Sequence, residues 1–104
     1  MSAIIGRNSG NGYSNVYFQF NGAILVFHHW TGNGGDEDNE YLENQYSVYH
    51  DTLDGRMDLH ISWNTYESGY TEVINFDYPE GFNIQELKNV LEEELGIEMP
   101  TSKK

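Results

Sequence analysis

The sequence predicts an α+β domain: an antiparallel β-meander of about five strands with one C-terminal amphipathic helix packed on one face. Three observations predict it. Short aromatic and β-branched runs are separated by turn signals at residues 11–12, 21–22, 54–55 and 68–69. After residue 79 the apolar period changes from that of a strand to that of a helix. The length of 104 residues suits a single domain, 1–104, with one core.

The clearest element is a hairpin over residues 13–30. Asn21-Gly22 joins its two strands, and Asn-Gly favours a type I′ turn because both central residues need a positive φ. The resulting register places one apolar face toward a core, whereas the other face is half polar, so we expect the hairpin to lie centrally in its sheet. The expected pairs are Phe20 with Ala23, Phe18 with Leu25, Val16 with Phe27, and Asn15 with His28.

Three further strands are expected after this hairpin, over residues 44–50, 56–63 and 70–78. The segment 56–63 alternates cleanly, with Leu59, Ile61 and Trp63 on one side and His60 on the other. A Gly-rich N-terminal segment, 1–12, contains a short strand at 2–5 and then a loop, GRNSGNG, over 6–12. Residues 31–45 are expected to form an acidic loop, and 64–69 a shorter loop.

The C-terminal helix is expected over residues 83–95. Asn83 suits the N-cap, and Glu86 three residues later completes a capping box. Gly96 ends the helix, Pro100 prevents its resumption, and 100–104 form a flexible tail. The apolar stripe that should pack on the sheet consists of Ile84, Leu87, Val90, Leu91 and Leu95.

Charge is the strongest compositional signal, with 17 acidic against 5 basic residues and a net charge of −12. Residues 1–30 contain Arg7 as their single charged side chain, so the acids are confined to the remainder. Such a field repels nucleic acid and membranes and attracts basic proteins. The sequence contains no cysteine and no membrane-length apolar run, and residues 1–12 lack the apolar region of a secretory signal, so we expect a cytoplasmic protein.

Catalytic and metal-binding patterns are weak. His28, His50 and His60 would need to converge with Asp51 or Asp58 to hold a metal, and their spacing matches no metal-binding motif. The acids from Asp36 to Glu40 resemble the start of a calcium loop, but the glycine and glutamate that complete one are missing. No nucleophile motif is present. We therefore expect a non-enzymatic protein without metal or cofactor.

The acidic residues instead suggest a protein-binding surface. In an extended chain, alternate carboxylates stand about 6.6 Å apart and can imitate a row of phosphates. Tyrosines among the acids supply contact area at low entropic cost. The predicted partner-binding residues are Asp36, Glu37, Asp38, Glu40, Tyr41, Glu43, Tyr46, Tyr49, Asp58 and Tyr66.

These properties favour a small acidic inhibitor that blocks the basic nucleic-acid groove of a nuclease or effector complex. In size and composition the chain resembles small phage-encoded inhibitors of host defence, such as anti-CRISPR and DNA-mimic proteins. Two alternatives remain open. One is an immunity protein against a basic nuclease toxin, which would use the same surface chemistry. The other is a structural or assembly domain, for which oligomerisation or an exposed patch at Tyr17, Val26 and Trp30 would be diagnostic.

Overall fold

The structure, a computed structural model, describes residues 4–31, 42–50 and 59–101. It shows one antiparallel sheet of six strands in the order β1-β2-β3-β4-β5-β6, followed by a C-terminal helix. The α+β meander is thus confirmed, with one strand more than predicted. The strands are β1 (Ile4–Gly10), β2 (Tyr13–Phe20), β3 (Ala23–Thr31), β4 (Leu42–His50), β5 (His60–Tyr66) and β6 (Thr71–Asp77).

The β2–β3 hairpin has the predicted turn and register. Asn21 and Gly22 have φ values of 50° and 83°, so both central residues of the turn are left-handed, as a type I′ turn requires. Phe20 lies opposite Ala23, and the other three predicted pairs also form. The hairpin is flanked by β1 on one side and β4 on the other, which gives it the central position that its two-sided pattern predicts.

The N-terminal segment is where the prediction was wrong. Residues 6–10 continue strand β1, and only Asn11 and Gly12 form the turn. The glycines and polar side chains of this segment form no alternating hydrophobic pattern, so periodicity does not identify the strand. Pairing with β2 nevertheless gives its backbone hydrogen bonds that the sequence pattern alone does not reveal.

The later strands match the prediction with shifted ends. Strand β4 begins two residues before the predicted strand, and β5 runs on to Tyr66, so part of the predicted 64–69 loop is strand. Within β5 and the residue before it, Leu59, Ile61 and Trp63 are buried in the core as the alternation predicts. The 54–55 turn and most of the acidic loop lie outside the described residues.

The helix begins and ends at its predicted signals. The Asn83 side chain accepts a hydrogen bond from the Glu86 backbone N–H at 3.0 Å. Helix α1 (Ile84–Val90) continues as a π-helical turn, Leu91–Leu95, and Gly96 closes it with a φ of 68°. Leu87 and Leu91 are fully buried against the sheet, so the predicted packing is confirmed.

The core lies between this helix and one face of the sheet. We call this the helix-covered face, and it carries Val16, Phe18, Leu25, Val48 and Ile61. The opposite side, here the second face, carries a polar row across all six strands. That row consists of Asn8, Asn15, His28, Ser47, Ser62 and Asn75. In the described part of the chain, no helix is long and apolar enough to cross a membrane.

Candidate functional site

The acidic residues are segregated within the sheet. Strands β1, β2 and β3 contain no acid at all, and Arg7 is their one charged side chain. From β4 onward the described chain has a single cation, Lys88. The described acids are Glu43, Glu67, Glu72, Asp77, Glu80, Glu86, Glu92, Glu93, Glu94 and Glu98. The fold therefore converts an uneven sequence into a sheet with an acid-free half and an acidic half.

Strand β6 forms the outer edge of the acidic half. Glu72 and Asp77 lie on its second face, because they pair opposite Asn64 and His60. These two carboxylates are separated by five residues, which corresponds to about 17 Å of strand. Glu67 precedes the strand in the β5–β6 turn, and Glu80 follows it in the turn before the helix. Negative charge thus extends along the whole edge.

Large apolar and aromatic side chains are exposed along the same strand. Tyr70 is 56% exposed, Ile74 41% and Tyr78 40%. The ring of Tyr70 lies 5.8 Å from that of Tyr66, measured between ring centroids. We define the β6 edge as Glu67, Tyr70, Glu72, Ile74, Asp77, Tyr78 and Glu80. Along this edge, carboxylates therefore alternate with exposed aromatic and aliphatic side chains.

Two local features shape this edge. The Tyr66 hydroxyl donates a hydrogen bond of 2.7 Å to a Glu72 carboxylate oxygen, which fixes the direction of that carboxylate. A β-bulge shifts the register between β5 and β6 at Ser62 and Trp63, leaving Ile74 as the extra residue. Bulges redirect side chains and interrupt the regular backbone of an edge strand. The β6 edge is therefore suited to side-chain recognition more than to strand pairing.

The sequence-predicted site residues do not form one surface where they are described. Tyr46 is on the helix-covered face, stacked on Trp63 with a centroid distance of 5.1 Å. Tyr49 is on the second face, opposite Val26. Glu43 is exposed and is the extra residue of the β4 bulge, whereas Tyr66 lies next to the β6 edge. The remaining predicted residues, Asp36, Glu37, Asp38, Glu40, Tyr41 and Asp58, lie outside the described residues.

Tyr46 has the perturbed ionisation among these residues. Its ring is packed between His29, at a centroid distance of 4.7 Å, and Trp63. Burial raises the pKa of the Tyr46 hydroxyl, and the nearby negative charge of Glu43 raises this pKa further. The folded protein therefore favours the neutral hydroxyl of Tyr46 more strongly than the unfolded chain does.

The histidines do not converge. His28 and His60 are on the second face, whereas His50 is buried on the helix-covered face, since it pairs with Leu25. His28 Nδ1 donates a 2.7 Å hydrogen bond to Asn15, and His29 Nε2 donates one of equal length to Asn44. Within residues 4–31, 42–50 and 59–101, no cluster of three or more histidine or acidic side chains is placed to hold a metal ion.

The apolar patch expected of an assembly domain is not exposed. Val26 is only 4% exposed, and Tyr17 and Trp30 are half-buried on the second face. The neighbouring polar row ties β1 to β2 instead. Asn15 Nδ2 donates to Asn8 Oδ1 at 3.0 Å, and Asn8 Nδ2 donates to the Tyr17 hydroxyl at 3.3 Å. These hydrogen bonds order the part of the polar row that lies on β1 and β2.

Comparison of the chain with protein-family models, with curated proteins and with solved structures gave no match. The site therefore rests on its own geometry. Sequence reasoning missed Glu72, Asp77 and Tyr78 because each is unremarkable in the chain. The signal that identifies them is position, since β6 is an outer strand and strand order is not encoded in local pattern.

Proposed function

We propose that this protein is a non-catalytic inhibitor that docks its β6 edge on the basic nucleic-acid groove of a nuclease or effector complex. One observation carries the proposal: acids and exposed aromatic side chains coincide along one outer strand, while the opposite half of the sheet contains no acid. A negative coat that served solubility alone would have no reason to leave three strands without an acid.

The β6 edge has the chemistry to compete with a nucleic-acid backbone. Glu72 and Asp77 project from one face of the strand, so arginine and lysine side chains of a groove can reach both. Tyr70 and Tyr78 would add apolar contacts to these ionic contacts, because exposed rings bury apolar surface when they enter a pocket of the partner. The expected binding is fast and sensitive to salt.

The class of inhibitor follows from the same chemistry. A partner that normally holds DNA or RNA presents arginine and lysine along a groove, and a phage anti-defence protein would occupy that groove. Its contacts would resemble those of phosphates without any base contacts, so a nucleic acid of any sequence should compete. This property separates a groove-blocking inhibitor from one that binds elsewhere on the same enzyme.

The test is capture of the partner from a bacterial lysate, followed by competition with DNA of random sequence. A nucleic-acid-binding protein should be retained by the wild type, released by added DNA and released by moderate salt. The variant Glu72→Gln with Asp77→Asn should lose most of this retention. Glutamine at position 72 still accepts the Tyr66 hydrogen bond, so the fold of the edge is preserved.

A matched control removes the same charge elsewhere. Glu92→Gln with Glu93→Gln changes two exposed helix carboxylates and leaves the β6 edge intact. Equal weakening by the two pairs would mean that total charge, not the β6 edge, drives binding. A partner that ignores both DNA and salt would overturn the proposed function.

A further inference from the structure

The other outer strand of the sheet, β1, carries no acid, and its bulge lies at its start, between Ile4 and Gly6, whereas the bulge of β6 lies near the middle of that strand. Residues 6–10 pair with β2 in unbroken register from Gly6 opposite Tyr17 to Gly10 opposite Tyr13. Residues 7–10 are exposed, and Ile5 at the start of the strand is 54% exposed. No acid lies on β1, on its neighbour β2 or on the next strand, β3, and Arg7 is the single charged side chain of these three strands. A regular outer strand without acids offers its free backbone groups to another strand.

The geometry points to self-association: we propose that β1 pairs antiparallel with β1 of a second copy, joining two six-stranded sheets into one. Full overlap of residues 6–10 places Asn8 opposite its counterpart and Arg7 opposite Ser9, which is the self-complementary arrangement of a two-fold dimer. The contacts are backbone hydrogen bonds, so they require no special side chains.

Electrostatics explains why a second copy fits this edge. Each chain carries a charge of −12, so two copies repel one another in most orientations. The nearest acid on a described strand is Glu43 on β4, three strands from β1, or about 14 Å. Pairing through β1 keeps such acids of the two copies about 33 Å apart, several times the Debye length of about 8 Å.

The strand is also ordered before it pairs. The Asn8 side chain is held on the second face by Asn15 and Tyr17, and the Thr31 N–H donates a 2.7 Å hydrogen bond to the Gly12 carbonyl. These contacts fix β1 and its turn to the central strands. Little conformational entropy remains to be lost on pairing, which favours association through a small interface.

Sedimentation equilibrium from about 1 µM to about 1 mM tests the proposal, because a small interface gives a weak dimer. The wild type should dimerise, and higher salt should leave the dimer unchanged or strengthen it, since salt screens the repulsion between copies. Arg7→Glu with Ser9→Glu places like charges opposite one another and should raise the dissociation constant about tenfold or more. A wild type that stays monomeric over this range overturns the proposal.

The matched control adds the same negative charge away from β1, through Thr71→Glu, Ile74→Glu and Gln85→Glu, all at exposed positions. It should dimerise like the wild type; equal weakening in the control would overturn pairing through β1. Amide hydrogen exchange of the wild type locates the contact between copies without any substitution. Increasing concentration should protect residues 6–10 and leave 71–77 unchanged, whereas protection at 71–77 would place the contact on β6 and overturn the proposal.

Discussion

Strands β1 and β6 occupy equivalent positions at opposite edges of one sheet, yet their chemistry differs in every respect. Strand β6 is interrupted by a bulge near its middle and flanked by Glu67 and Glu80. The bulge of β1 lies at its beginning, between Ile4 and Gly6, and leaves a regular stretch that contains no acid and one cation, Arg7. An outer strand is thus most open to pairing where no bulge and no row of like charges interrupts it.

The difference shows that the strand order of the sheet determines where the charged side chains of this protein lie. Because the meander places strands in chain order, an acid-free N-terminal sequence becomes one acid-free half of the sheet. Glu72 and Asp77 lie on the other outer strand, β6, and Glu67 and Glu80 flank it. Two associations follow with opposite salt dependence: binding of a basic partner at β6 should weaken with salt, and pairing at β1 should not.

The largest effect on stability is expected from a variant that weakens the packing of the helix on the sheet, which both outer strands share. Leu91→Ala deletes a fully buried side chain between the helix and the sheet, and should lower the free energy of unfolding by about 2–5 kcal/mol. Urea denaturation measures it. Glu92→Ala, exposed on the same helical segment, is the control and should change little. Loss of amide protection in β6 alone would show that the edges unfold independently.

A smaller effect distinguishes the turns that hold the two halves. Gly22 and Gly69 have φ values of 83° and 96°, and an added Cβ meets no atom within 4 Å at either position. Alanine at each site should therefore cost only backbone strain, about 1–2 kcal/mol. Gly22→Ala should lower global stability by that amount, because its hairpin is central.

Gly69→Ala should act locally, since the outer strand β6 can detach before the rest unfolds. Amide exchange of residues 71–77 should then accelerate more than global stability falls. Equal losses of global stability in the two variants would mean that β6 belongs to the same cooperative unit as the central hairpin. The comparison of edges would then concern charge alone.

The smallest expected effect is a pH dependence of stability that arises at Tyr46, on strand β4 between the two edges. Its pKa is raised in the folded protein above the ordinary value of 10.0, so the folded state favours the neutral hydroxyl. Stability should be unaffected below pH 10 and should fall as the pH rises through the folded pKa. Tyr46→Phe should reduce that alkaline loss, as measured by thermal melting at several pH values. An unchanged alkaline profile in Tyr46→Phe would contradict the burial of this hydroxyl.

The elements that sequence predicted well are those with local physical signals. Asn21-Gly22 specifies a turn through two positive φ angles, and Asn83 with Gly96 delimits the helix through capping. Residues 6–10 of strand β1 escaped prediction because their glycines and polar side chains carry no alternation, and only the neighbour β2 makes them part of a strand. The same limit applied to the end of β5, where Asn64 and Thr65 resemble a loop but pair with β4 and β6.

The sequence predicted the composition of the candidate site but not the residues that form it. Composition indicated an acidic and tyrosine-rich binding surface, but it did not decide which side chains from different strands share one surface. Tyr46 and Tyr49 are three residues apart and fall on opposite sides of β4, because successive strand residues alternate between faces. Glu72 and Asp77 gained importance only once β6 proved to be an outer strand.

The sequence by itself determined the α+β class, the register of the central hairpin, the helix with its caps and the confinement of acids to residues after Thr31. Each of these depends on contacts or conformations within a few residues, or on composition alone. Tertiary structure extended β1 into a full outer strand, placed His28 and His50 on opposite faces, and created the contrast between β1 and β6. Which strand lies outermost depends on pairing among all six, and that information is distributed over the whole chain.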